Sequence, residues 1–196
     1  SAWETARGTP VLRKIPILTA KESVSSAAAV ALPKTSESPQ LLKIRHSMSH
    51  VMAMAVQQLF PNARVTIGPW TETGFYYDFD NPDPFTEADL KAIKKGMIKI
   101  INQKLPLQRV EVSRAEAETR IKAQNEPYKL EILEGLQEPI TLYTLGEKWW
   151  DLCAGPHVEH TGQLNAKAFE LESVAGAYWR GDENRQQLQR IYGTAF

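Results

Sequence analysis

The stretch between Ser38-Pro39 and Pro61-Asn62 constrains this chain more than any other part of it. Serine ahead of proline offers an oxygen that caps a helix, and proline suits the first helical position, where no amide donor is needed. Pro61-Asn62 ends the run. At about 100° per residue, Ile44, Met48, Val51, Met52, Ala55 and Leu59 share an arc roughly 100° wide. His46 and His50 fall nearly opposite that arc, beside Ala53 and Gln57. The spacing predicts one long helix with a core face and a second face carrying two imidazoles one turn apart. Such a helix needs a partner layer, and the rest of the chain supplies strands.

Residues 64–67 are β-rich and residues 75–79 alternate, with turn signals at Gly68-Pro69 and Thr73-Gly74 between them. A hairpin is expected, with Phe75, Tyr77 and Phe79 on one side and Tyr76 and Asp78 on the other. Thr86 caps a second helix whose first turn carries Glu87 and Asp89. Its stripe is Leu90, Ile93, Met97 and Ile100/Ile101. Lys91, Lys94, Lys95 and Lys99 form a solvated face, with RNA-backbone contact as the alternative. After Pro106 come a strand over 108–112, a helix over 114–124 capped by Ser113, a short helix near 128–133 and a strand over 141–145. Residues 149–153 approach a loop at Ala154-Gly155-Pro156-His157. Strands at 168–174, 178–179 and 187–193, with a turn at Gly181-Asp182, close the chain. Strands mixed with helices without regular alternation indicate an α+β fold. The expected architecture is an antiparallel sheet packed against helices, with a smaller inserted α/β subdomain near residues 105–145.

Residues 1–38 differ in kind. Ser23 to Leu32 are small or aliphatic residues without an apolar period, and the aromatic content is Trp3 alone. Such a segment buries too little surface to offset its ordering entropy. It reads as a disordered leader or linker, with the remnant of an organelle transit peptide as the sharper alternative.

Lysine plus arginine is 23 and aspartate plus glutamate is 23, so the formal charge is zero. That balance speaks against a basic nucleic-acid domain working alone, and leaves open a domain presented to RNA by a larger protein. No apolar run approaches the roughly 20 residues a membrane helix needs. The one cysteine, Cys153, excludes an internal disulfide and any zinc site with two cysteines from this chain.

Four histidines and that cysteine carry the chemical signal. His46 and His50 form H-x-x-x-H on a helix; Cys153 and His157 form C-x-x-x-H across a Gly155-Pro156 turn, with His160 close behind. The turn lets thiol and imidazole converge on one point. Two imidazoles on a helix face and this pair make a four-ligand set for zinc. They equally suit a metal-free hydrolytic site in which a histidine acts as general base. Spacing alone leaves both open.

Several longer stretches carry a resemblance. They are R-H-S-M-S-H-V-M-A-M-A-V from Arg45, I-G-P-W-T-E-T-G-F-Y-Y-D-F-D from Ile67, E-P-Y-K from Glu126, W-D-L-C-A-G-P-H-V from Trp150, and G-A-Y-W-R-G-D with L-Q-R-I-Y-G-T-A near the end. In this order they resemble the editing region of threonyl-tRNA synthetases, in the form found in cyanobacteria and plastids. A related domain occurs in alanyl-tRNA synthetases and freestanding alanyl editing proteins, where the matching quartet is commonly a zinc site.

The resemblance implies an editing domain over residues 39–196 that hydrolyses mischarged seryl-tRNA(Thr) by water attack on the aminoacyl ester. It implies His46, His50, Lys129, Asp151, Cys153 and His157 as the catalytic set. His46 and Cys153 would position the water, with an imidazole taking its proton. Lys129 would contact the terminal ribose or stabilise developing charge. Asp151 would hold the serine ammonium or orient a histidine. Tyr77 and the backbone around Gly68 would hold the amino acid. No metal is expected for editing; the alternative is zinc on His46, His50, Cys153 and His157. ATP, and a further zinc, would belong to a catalytic core that this chain does not match. The implied partners are the acceptor end of tRNA(Thr) and the remaining domains of a synthetase that is a homodimer, with no membrane. The implied location is chloroplast or mitochondrion, with cytoplasm as the alternative. The competing readings are a freestanding deacylase acting in trans and a non-catalytic zinc or RNA-binding module.

Overall fold

The computed structural model describes residues 31–196. In chain order its elements are α1 (Pro39–Leu59), β1 (Arg64–Val65), β2 (Phe75–Asp80), α2 (Glu87–Asn102), β3 (Leu107–Val112), α3 (Arg114–Gln124) and α4 (Pro127–Glu134). They continue with β4 (Ile140–Leu145), β5 (Trp149–Leu152), β6 (Phe169–Tyr178) and β7 (Gln187–Ala195). The described residues form an α+β fold with two antiparallel sheets. One sheet runs β1-β2-β7-β6 and the other β3-β4-β5. Residues 1–30 of the expected leader lie outside the described residues. Residues 31–37 are described, and Thr35–Glu37 makes one 3-10 turn ahead of α1.

Local signals account for the element ends. Ser38 Oγ accepts from the Leu41 amide and Pro39 occupies the first helical position. Thr86 and Asp89 cap α2 reciprocally. Ser113 caps α3, and Asn125 ends it in the left-handed conformation at φ 53°. Residues 149–152 depart from expectation. Read as an approach to a loop, they form β5, paired with β4 so that Asp151 lies opposite Tyr143. Too short for periodicity to identify, this strand exists because β4 offers it an edge.

The larger departure concerns α1. Its two faces were expected to divide between core and site, but every residue from Arg45 to Val56 is buried. Leu59, assigned to the core arc, is instead exposed. One side packs with Phe75, Tyr77, Phe79 and Ile191 of the large sheet and with Ile93, Met97 and Ile100 of α2. The histidine side is covered by the chain that follows β5. Ser47 and Ser49 make that cover tolerable. Ser47 Oγ accepts from the Val158 amide at 3.0 Å, and Ser49 Oγ lies 2.8 Å from the Gly68 carbonyl. Two small hydroxyls thus satisfy the backbone of two loops laid over one helix. A second, smaller apolar cluster, built from Val112, Ala117, Ile121, Leu133, Ile140 and Leu142, joins α3 and α4 to the three-stranded sheet. Among the described residues no helix is long and apolar enough to cross a membrane.

Candidate active site

The helix and the turn after β5 bring the four expected residues together. One donor atom each from His46, His50, Cys153 and His157 lies within 4.8 Å of all the others. Cys153 Sγ is 3.4 Å from His46 Nε2 and 3.2 Å from His157 Nε2, and accepts from the Gly155 amide at 3.2 Å. The His46 and His157 rings stack at 4.0 Å, and His50 lies 4.4 Å from His157. His160, the remaining histidine, stands outside this set.

Each imidazole is anchored by its other nitrogen or by its neighbours. His46 Nδ1 is 3.0 Å from the Pro156 carbonyl, which only accepts, so Nδ1 carries the hydrogen and Nε2 is the free acceptor. His157 Nδ1 is 3.0 Å from Ser47 Oγ. One proton arrangement satisfies the chain. Val158 N–H donates to Ser47 Oγ, Ser47 donates to His157 Nδ1, His157 Nε2–H donates to Cys153 Sγ, and the thiol donates to His46 Nε2. His50 differs: its Nε2 sits 3.6 Å from Asp151 Oδ2, while its Nδ1 is buried with no hydrogen-bond partner.

Asp151 is the centre of a second ring. Its Oδ2 accepts from the Tyr77 hydroxyl at 2.7 Å, and its Oδ1 lies 3.6 Å from Lys129 Nζ. Lys129 is 1% exposed; it donates to the Trp150 carbonyl at 3.0 Å and sits over the Trp150 ring. Its ammonium lies behind Asp151 and compensates that carboxylate. Of the two roles weighed for Asp151, orienting a histidine matches its position beside His50. Gly68 belongs here for a steric reason. A Cβ on it would lie 2.0 Å from Tyr77 Cδ2, so only glycine lets the backbone cross the ring that holds Asp151.

Burial dominates the electrostatics. It lowers His46 to about 4, only partly opposed by the bond to Pro156, and His157 to about 2, with the charge of His46 adding to the effect. His50 is lowered well below the usual imidazole value, by burial first and then by His157, His46 and Lys129. Burial pushes the Cys153 thiol up to about 12 against the pull of the Gly155 amide. It also raises Asp151, with Lys129 pulling the other way, and drives Tyr77 well above the ordinary phenol range. Burial thus favours neutral imidazoles and a neutral thiol, which leaves the ring nitrogens unprotonated but weakly basic.

The donor set also fits a zinc ion. Three imidazole nitrogens and one sulfur suit tetrahedral coordination, and the unpartnered Nδ1 of His50 is the kind of atom a metal occupies. The outer partners Pro156, Ser47 and Asp151 are placed as partners of metal-bound histidines commonly are.

Several residues around the site carried no sequence signal of their own. Ser47 lies between the two histidines in sequence, and only its contact with His157 reveals it. Tyr143 meets the His157 ring edge-on at 4.4 Å, Trp149 meets His50 at 5.4 Å and Trp70 meets His46 at 5.0 Å. Nothing in the local pattern separates these aromatics from ordinary core or surface residues.

Residues 140–192, which include β5 and the Cys153–His157 turn, match the family described as the threonyl and alanyl tRNA synthetase second additional domain. Relatives that it matches closely are threonine–tRNA ligases. It is 85% identical over 184 residues to the threonine–tRNA ligase of Parasynechococcus marenigrum, a match covering 90% of this chain and 30% of the ligase. It is 86% identical over 183 residues to that of a Synechococcus species, covering 89% and 30%. It is 76% identical over 175 residues to that of Synechococcus elongatus, covering 89% and 29%. The chain thus spans about 30% of the length of these relatives.

Proposed function

We propose that this chain is the editing region of a threonine–tRNA ligase and hydrolyses the ester of mischarged seryl-tRNA(Thr). The observation that carries this reading is the convergence of His46, His50, Cys153 and His157, whose donor atoms lie within 4.8 Å of one another on a buried helix and a braced turn. The chemical need is clear. Serine lacks one methyl of threonine, and a methyl is worth only about 1–3 kcal/mol of discrimination at a synthetic site. A second site must remove what the first lets through.

In the reaction, water attacks the carbonyl carbon of the aminoacyl ester. His46, oriented by its bond to Pro156, and the Cys153 sulfur beside it position the water, and an imidazole of the cluster takes its proton. The bond between the acyl carbon and the ribose oxygen breaks, and that oxygen takes up a proton. The products are serine and tRNA with a free terminal hydroxyl. Asp151, Tyr77 and Lys129 hold His50 and the floor of the site. In this reading the remaining domains of the synthetase charge tRNA(Thr) with threonine using ATP and deliver its acceptor end here. The same quartet would hold a zinc ion, which when bound would lower the pKa of a coordinated water; the steps above do not require it.

The test is deacylation by the purified chain at high concentration, needed because most tRNA contacts would lie elsewhere in the synthetase. Seryl-tRNA(Thr) should be hydrolysed and threonyl-tRNA(Thr) spared. Equal hydrolysis of both would remove the assigned specificity, and hydrolysis of neither would remove the function.

A further inference from the structure

Among the described residues, one large exposed apolar side chain touches the quartet. Trp70 is 37% exposed, and its ring meets that of His46 edge-on at 5.0 Å. A bulky indole left in solvent beside a buried imidazole has no packing reason to be there.

Its support is rigid. Trp70 bridges Phe75 across the turn that follows it. Within that turn the Thr71 amide donates to the Gly74 carbonyl at 2.8 Å, and the Gly74 amide to Thr71 Oγ1 at 2.9 Å. Residues 35 and 36 brace it from outside. The Thr35 amide donates to the Glu72 carbonyl at 2.9 Å, and the Ser36 amide to Glu72 Oε1 at 2.6 Å. Beneath lies Arg45, 0% exposed and adjacent to His46 in sequence, which donates to the carbonyls of Glu72, Pro33 and Ala195 and to Thr35 Oγ1. A buried guanidinium thus fastens three segments of chain, one of them the turn that follows Trp70.

We propose that Trp70 is the platform on which the nucleobase of the terminal nucleoside stacks, so that the ester on its ribose faces His46. This rests on the function proposed above. The substrate's chemistry fits the placement: one sugar ring separates the ester from the base, and one imidazole separates the reacting point from Trp70. A fixed indole offers a π-face to a base at little entropic cost, and such stacking is tolerant of base identity. Trp70 accordingly sets selectivity for nucleoside esters over simple serine esters.

The experiment compares kcat/KM for adenosine carrying serine on its 3′-hydroxyl with kcat/KM for serine ethyl ester, in the chain as it stands and in Trp70→Ala, Trp70→Leu and Trp70→Phe. The ratio of the two should fall roughly 5- to 150-fold in Trp70→Ala and Trp70→Leu, the span of one lost base–aromatic stack. It should stay near the parent value in Trp70→Phe, which keeps an aromatic face. Should Trp70→Ala fail to fold, as a thermal melt would reveal, the Leu and Phe variants carry the comparison. Equal ratios in those two, or a parent chain without preference for the adenosine ester, overturn the proposal while leaving ester hydrolysis standing. A parent chain that cleaves neither ester overturns the function itself, and this role with it.

Discussion

Ser47 Oγ lies 3.0 Å from His157 Nδ1 and accepts the Val158 amide at the same distance, so one hydroxyl ties the Cys153–His157 turn to the helix beneath it. The turn is also held to α1 by the His46–Pro156 contact and by Cys153 Sγ beside His46 Nε2.

Ser47→Ala leaves a buried amide and a buried ring nitrogen without that partner. The expected cost is about 1–3 kcal/mol, the penalty for unsatisfied buried polar groups. Deacylation should fall as well, because His157 loses its orientation. Urea unfolding beside the seryl-tRNA assay checks both. Unchanged stability would show that another group takes over the Val158 amide.

Core and site should separate by the sign of their effects. Met52 is fully buried, and Met52→Ala should cost about 2–5 kcal/mol. His46→Ala and Cys153→Ala should cost clearly less while lowering hydrolysis by at least about 10²-fold. Thermal melts of the three variants beside the assay decide it. If both site variants melt as early as Met52→Ala, the quartet is structural, as expected where metal-binding energy is folding energy.

Metal removal gives an independent check. Protein treated with a strong chelator and assayed without added metal should retain deacylation, since the proton path from Ser47 to His46 closes without an ion. Loss of activity, restored by zinc alone, would assign the quartet to metal binding.

Lys129 and Asp151 are 1% and 4% exposed and compensate each other. Lys129→Met strands a buried carboxylate and should destabilise by about 3–5 kcal/mol. Adding Asp151→Asn should recover part of that loss without restoring hydrolysis, because His50 would still lack its carboxylate. A double-mutant cycle by denaturant unfolding measures the coupling. Strict additivity would mean the pair does not interact.

Gly68→Ala tests the approach of one backbone to one ring. The added methyl would meet Tyr77 Cδ2 at 2.0 Å, forcing apart the loop and the phenol that holds Asp151. Both stability and hydrolysis should fall, and Gly68→Ala with Tyr77→Phe should not restore activity. A variant that melts and reacts like the parent would show that the loop yields freely.

Much of the fold was legible in the sequence, because the signals concerned are local. Ser38, Thr86 and Ser113 cap the helices they precede, since a cap needs only a side-chain oxygen near the following amides. Phe75, Tyr77 and Phe79 face one side of β2 because strand geometry alternates. The histidine pair on α1 was visible for the same reason: helical spacing places His46 and His50 one turn apart whatever surrounds them.

Only the tertiary structure decided what meets that pair. His46 and Cys153 are 107 residues apart, and no local rule sets the distance between their side chains at 3.4 Å. β5 exists as a strand because β4 pairs with it, and that pairing aims Asp151 inward toward Tyr77, Lys129 and His50. Both faces of α1 are buried because Ser47 and Ser49 satisfy the loops laid across it, which periodicity cannot express. The turn that follows Trp70 is held by Arg45, a residue whose four acceptors come from three separate segments. Capping and alternation are properties of neighbours along the chain. Burial, proton order and the meeting of distant side chains are properties of packing, and they arise only when the chain has folded.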